Sequence, residues 1–218
     1  MTLEAVVFDL DGLLLDTEEL WDGAREQLAR ERGGRWLPDA QQAMMGMSSP
    51  EWLRYMHDVV GLRELPEEIN RLVVERMAAQ YRERLPLVHG AVDAVERLAA
   101  RWPLGLASSS NRPLIDLALE LSGLADRFRV TVSSEEVERG KPAPDVYLEA
   151  TRQLGVQASR AAAVEDSHNG ILSARRAGLA VVAVPNRRFP PGAKALEQAA
   201  VVVGSLDELT ADVIQAAA

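Results

Sequence analysis

The feature that most limits what this chain can fold into is a break in its rhythm. Residues 4–8, EAVVF, read as a short buried strand, apolar and partly β-branched, stopped by Asp-Leu-Asp-Gly. From residue 17 to residue 86 no convincing strand follows. TEELWDGAREQLARERGG is acidic at its start and ends in Gly33-Gly34, as a helix capped at Thr17 would. SSPEWLRYMHDVVGL places Ser49 as a cap and Pro50 at the first helical position, and LPEEINRLVVERMAAQYRERL runs helical as far as Pro86. Beyond PLVHG the texture changes again. The segments AVDAVERLAARW, RPLIDLALELSG, DVYLEATRQLG and HNGILSARRAG read as helices, separated by the strands PLGLAS, FRVTVS, RAAAVED and LAVVAVP, and AAVVVG with a last helix closes the chain. Such alternation predicts right-handed βαβ units in a doubly wound, mainly parallel sheet. A lone apolar strand ahead of an all-helical stretch has no sheet to join, so the first strand must pair with the later ones. The expectation is an α/β core made of residues 1–16 and 87–218, with residues 17–86 inserted as a small all-helical cap.

Composition narrows the function classes. Apolar residues make up 47% of the 218 positions and charged residues 26%, which opposes disorder. Asp and Glu number 33 against 24 Lys and Arg, and a net charge of −9 disfavours nucleic acid or an anionic membrane as partner. The absence of cysteine excludes disulfides, thiolate metal sites and a cysteine nucleophile, and agrees with a reducing cytoplasm. MTLEAVVFDLDG lacks the basic region of a secretory signal, and no apolar run approaches the roughly 18–20 residues that span a bilayer. A cytoplasmic monomer with a small-molecule partner is expected.

In open α/β sheets ligands gather beyond the carboxyl ends of the strands. Four of the expected strand exits carry polar residues: Asp9 and Asp11, then Ser108, then Lys141 in a loop, then Glu165-Asp166. Neighbouring carboxylates repel, and a hard dication shared between them removes the repulsion. Lys141 and the Ser108 hydroxyl, with the backbone N–H groups beside it, are suited to hold an anion. Each motif alone is more often bland: Asp-x-Asp-Gly is a common turn, Ser108 to Ser110 a polar loop or cap, and Lys141 a solvated loop cation. Their joint occurrence at successive strand exits favours a site for phosphoryl transfer to aspartate.

On these residues the chain resembles the haloacid dehalogenase superfamily, in the branch with a helical cap inserted after the first motif of a Rossmann-like core. DLDGLLLDT is similar to the first motif, GLASSSN to the second, GKPAPDVY to the third and VEDSHNG to the fourth, in the family's order and across essentially the whole chain. The resemblance implies Asp9 as nucleophile forming an aspartyl-phosphate. It implies Asp11 as general acid and then base, holding Mg²⁺ through its backbone carbonyl. Ser108 and Lys141 would bind phosphoryl oxygens, with Ser109 and Asn111 of the same loop as further substrate contacts. Asp9, Asp11, Glu165 and Asp166 form the implied Mg²⁺ set, with Glu165 either a ligand or a partner behind one. Gly12 would allow a tight turn beneath the phosphate.

Within that branch, LLLDTEELWD, ASSSN and VEDSHNG resemble phosphatases of sugar and hexitol phosphates. The sugar-phosphate mutases share the first motif but carry a histidine where Trp21 stands, and basic residues around a Gly-x-Ser stretch where MMGMSS offers Met45 and Ser49. Neutral side chains hold a second phosphate poorly, which leaves the β-phosphoglucomutase type of isomerase as the alternative. His168 is expected to be structural, His89 a hinge or surface group and His57 a surface or cleft group, while Trp21, Trp36, Trp52 and the methionines at 44, 45 and 47 are expected to fill the cap's core.

Overall fold

The structure, a computed structural model, describes residues 2–45 and 47–218; Gly46 of the MMGMSS stretch lies outside the described residues. Six strands form one sheet: β1 (Ala5–Phe8), β2 (Leu104–Ser108), β3 (Phe128–Ser133), β4 (Ala161–Glu165), β5 (Ala180–Ala183) and β6 (Val201–Val202). Their spatial order is β3-β2-β1-β4-β5-β6. Every pairing is parallel, so the expected doubly wound sheet is present and the first strand sits at its centre. All four residues of β1 are inaccessible to solvent, as burial on both faces of a parallel sheet requires.

Alternation along β1 divides the core. Val6 and Phe8 join one apolar cluster with the helices α5 (Ala91–Ala99) and α6 (Arg112–Ser122). Ala5 and Val7 face the other way, toward α7 (Asp145–Leu154) and α8 (His168–Ala177). Phe8 meets Phe128 edge-on, ring centroids 6.1 Å apart.

Between β1 and α5 the chain is helical: α1 (Glu18–Glu31), α2 (Ala40–Met44), α3 (Ser49–Asp58) and α4 (Pro66–Glu83). Their buried side chains, among them Leu28, Met56, Ile69, Val73 and Met77, belong to the same cluster as Val6 and Phe8, so the segment shares a continuous apolar core with the sheet. The start of α3 corrects the expected cap by one residue. Ser48, not Ser49, is the N-cap, because only its spacing lets the Glu51 carboxylate accept from both the Ser48 N–H, at 2.8 Å, and its hydroxyl, at 2.7 Å. Among the described residues, no helix is long and apolar enough to cross a membrane.

Candidate active site

Register sets the site. Phe8 lies opposite Leu106 of β2 and Val164 of β4, so Asp9 leaves the sheet beside Glu165, with Ser108 just beyond on the other side. The β1/β4 boundary is where the strand order reverses, the crevice position for ligands in this topology. After Asp9 the chain turns sharply. Gly12 adopts φ +81, a Cβ there would strike the Asp166 carboxylate, and its N–H donates to the Leu15 carbonyl at 2.7 Å. The turn thus needs glycine both for its backbone angle and for the approach of Asp166.

The Lys141 ammonium is buried between two acids, donating to Asp9 Oδ1 at 2.7 Å and Glu165 Oε1 at 2.6 Å. Tyr147, in the first turn of α7, donates its hydroxyl to the same Glu165 oxygen at 2.6 Å, and the Ser167 hydroxyl reaches Glu165 Oε2 at 3.2 Å. Gly170 of α8 leaves room for this carboxylate, since a Cβ there would overlap it. Glu165 is therefore saturated on both oxygens. Asp166 is not: its Oδ1 is buried with no hydrogen-bond partner.

Crowding moves the titrations in directions that follow from these contacts. Burial, and then the charge of Glu165, pushes the Asp9 carboxyl up to about 7 against the pull of Lys141. Burial, with Asp9 and Glu165 next, carries Asp166 well above the ordinary carboxylate range. Burial alone would lower Lys141, but Asp9 and Glu165 outweigh it and raise it. Burial and then Glu165 hold the Tyr147 phenol well above its usual value, so it stays a donor.

Asp9, Glu165 and Asp166 each bring an oxygen within 4.8 Å of the others. One ammonium serves two of these acids and leaves the third orphaned. A divalent cation would supply the missing charge, and a set of oxygen donors of this kind suits a hard ion such as Mg²⁺. The residues present fit the metal.

Asp11 stands apart from that cluster. Its Oδ1 accepts from the Thr17 hydroxyl at 2.7 Å and the Trp21 indole N–H at 3.2 Å; its Oδ2 accepts from Ser110 at 2.7 Å and Ser108 at 3.2 Å. Asp9, Asp11, Ser109, Lys141 and Asp166 line a cavity of about 250 Å³ that is walled on the helical side by Glu18, Trp21, Arg25, Met44, Met45, Met47 and Trp52. Burial, and then the charge of Asp11, pushes Glu18 up to about 7.

The family profile described as "Haloacid dehalogenase-like hydrolase" matches residues 6–184. This chain belongs to that family. Hexitol phosphatase B of Escherichia coli (strain K12) is 32% identical over 213 residues, covering 95% of this chain and 94% of its own. The crystal structure of a CbbY mutant from Rhodobacter sphaeroides in complex with xylulose-(1,5)bisphosphate superposes with a TM-score of 0.85 at 27% identity, covering 98% of this chain and 100% of its own. The β-phosphoglucomutase of Clostridium difficile superposes with a TM-score of 0.83 at 24% identity, over 99% and 97% of the two chains, which is a likeness of fold.

In this haloacid dehalogenase-like hydrolase the expected site residues fall into three groups. Asp9, Lys141, Glu165 and Asp166 meet at the β1/β4 boundary. Asp11 and Ser108 face each other across a hydrogen bond, and Ser109 lines the cavity. Asn111 is outside the cavity lining: its side-chain amide donates to Asn70 of α4 at 3.0 Å and to Glu135 at 2.6 Å, tying the helical segment to the core. Ser110, Thr17, Trp21, Tyr147 and Arg25 were not read as site residues. Thr17 has the look of a helix cap in the sequence, yet its hydroxyl makes no cap bond and is given to Asp11. Trp21, Met44 and Trp52 are buried as a cap core would be, and they also face the cavity. His57 and His89 lie at the surface beside Asp58 and Asp207, and His168 lines the cavity at the start of α8.

Proposed function

We propose that this chain hydrolyses a small sugar or polyol phosphomonoester with Mg²⁺, through an aspartyl-phosphate on Asp9. It is a phosphoric monoester hydrolase of the haloacid dehalogenase-like family, and a hexitol phosphatase is among its relatives. The observation that carries the finer reading is the shared ammonium. Lys141 holds Asp9 by Oδ1 only, and Asp9 Oδ2 carries no hydrogen bond among the described residues. That oxygen is free to attack phosphorus from the cavity floor.

Asp9, Asp166 and the Asp11 backbone carbonyl would hold Mg²⁺, which supplies charge for the phosphoryl oxygens when bound. Glu165, already saturated by Lys141, Tyr147 and Ser167, fixes the ammonium in place. Lys141 offsets the charge that grows on the transferring group. The Asp11 carboxyl gives its proton to the leaving alcohol, and the carboxylate left behind takes one from the attacking water. With four donors on its two oxygens it must turn toward the cavity to do so, releasing Ser110 or Trp21. Residues 17–86 act as the cap that closes over the substrate and excludes bulk water. The phosphotransferring isomerase is the weaker reading, because the Trp21 indole, bonded to Asp11, fills the position where those enzymes carry a histidine.

The test is inorganic phosphate release from a panel of hexitol, hexose, nucleotide and aryl phosphates with Mg²⁺, alongside an assay for isomerised product. Hexitol and hexose phosphates are expected to be turned over repeatedly. No release from any ester, or isomerisation outrunning release, would refute the reading.

A further inference from the structure

We propose that Arg25 sets substrate choice by binding a second oxyanion, a carboxylate or a phosphate, at the end of the substrate remote from the scissile ester. The inference deepens the phosphatase reading and rests on it for what the near end of the cavity holds.

Arg25 lies on α1 and is 8% exposed, yet no side chain or backbone group among the described residues accepts a hydrogen bond from it, and its Nε is buried without a partner. Its guanidinium carbon sits 4.8 Å from the ring centroid of Trp21 and 4.8 Å from that of Trp52. The two ring centroids are 6.3 Å apart, so the indoles form a V around the cation and leave its remaining edge to the cavity. Burial lowers its pKa to about 10, which leaves it charged at neutral pH.

A charged group held out of water with its donors unmatched is costly, and such groups in folded proteins are normally paired. Glu18, Asp22 and Asp11 are near enough to act on Arg25 through their charge, but among the described residues none forms an ion pair or hydrogen bond with it. The other strong cation of the cavity, Lys141, is taken up by Asp9 and Glu165. Arg25 is thus the unpaired strong cation among the described residues lining the cavity. The walls beside it, Gln42, Met44, Met45 and Met47, are neutral.

The missing acceptor is best supplied by substrate. A guanidinium edge matches two oxygens of a carboxylate or phosphate in a bidentate pair, and an oxyanion also neutralises its charge, which a hydroxyl does not. A cavity of about 250 Å³ restricts the partner to a small molecule. The neutral reading of the cap, drawn from Met45 and Ser49, overlooked this residue because it comes from a different helix.

The experiment uses three esters that differ only at the far end: a hexitol 6-phosphate, the corresponding hexonate 6-phosphate and the hexitol 1,6-bisphosphate. Initial rates give kcat/KM for the whole chain with Mg²⁺, and calorimetry on Asp9→Asn gives Kd without turnover. The hexonate or the bisphosphate is expected to exceed the hexitol by about tenfold or more in both measures, and the larger of the two identifies which oxyanion is meant. Arg25→Gln should bring the ratios to within about threefold of one another, with Arg25→Lys retaining part of the preference and serving if Arg25→Gln does not fold. Equal handling of the three by the unaltered chain, or a preference that survives Arg25→Gln, would overturn the proposal. If aryl phosphate is turned over without any such preference, the phosphatase reading stands and the Arg25 inference falls. If nothing is turned over, the calorimetric ratios still decide the role of Arg25.

Discussion

Replacing Lys141 with methionine removes one cation from between two buried acids. The Lys141, Asp9 and Glu165 side chains are 3%, 7% and 0% exposed, and the two ion pairs span 2.7 and 2.6 Å. Breaking a buried pair by deleting one partner costs about 3–5 kcal/mol, because the remaining charge is stranded. Two stranded carboxylates put Lys141→Met toward the upper end. For a chain of this size each kcal/mol moves Tm by about 2–4 °C, so the expected fall is about 6–20 °C at pH 8. The sign with pH follows from Asp9. Its carboxyl already stands at about 7, raised by burial and then by Glu165, with Lys141 pulling it down. Without Lys141 it rises further above its unfolded value, and the folded chain binds more protons than the unfolded one between about pH 4 and the folded pKa. Stability is therefore lost as pH climbs through that window, and the deficit of Lys141→Met shrinks toward pH 5. Thermal and urea unfolding of both proteins, free of metal, at pH 5 and pH 8 measure it. A deficit below about 1 kcal/mol at pH 8, the level of an exposed ion pair, would refute the reasoning. So would an equal deficit at the two pH values.

Asp9→Asn should abolish turnover while leaving the cooperative unfolding transition in place; retention of more than a trace of activity would remove Asp9 as nucleophile. Mg²⁺ should raise Tm, and by more at pH 8 than at pH 5, because protons on the raised Asp9 and Asp166 compete with the ion; a shift independent of pH counts against those ligands. EDTA should silence phosphate release and excess Mg²⁺ restore it. Tyr147→Phe should destabilise by about 1.5–3 kcal/mol in urea unfolding, since it removes a donor from the buried Glu165 side chain that also holds Lys141.

The order of elements was legible because each strand is short, apolar and bounded by turn residues, while each helix carries its own period. The all-helical stretch between β1 and α5 was legible from the same contrast, since β1 is meaningless without a distant sheet. The meeting of Asp9, Lys141, Glu165 and Asp166 at the strand exits could be read because topology and motif order agree. What escaped notice depends on side-chain direction. Ser48 and Ser49 are equally good caps by type, and only the spacing to Glu51 separates them. Asn111 follows Ser108 closely enough to share its role on paper, but it begins α6, and its amide points back to α4 and Glu135. Glu165 and Asp166 are adjacent acids with opposite fates. One is enclosed by Lys141, Tyr147 and Ser167, and the other keeps a buried oxygen with no hydrogen-bond partner.

Thr17, Trp21 and Arg25 recur every four residues from the N-cap of α1, so they form one stripe on one face of that helix. Two of them grip the Asp11 carboxylate, and Trp21 also flanks the Arg25 guanidinium. The orientation of the Asp11 carboxylate and that of the Arg25 guanidinium are consequently fixed by the same rigid turns of backbone. Rotation of α1 by one residue, about 100°, would carry all three groups off the cavity together. If Asp11 and Arg25 act as proposed, an oxyanion bound by Arg25 would bear on the same indole that restrains Asp11. Recognition at one end of the cavity and proton transfer at the other would then be coupled through a single side chain, Trp21.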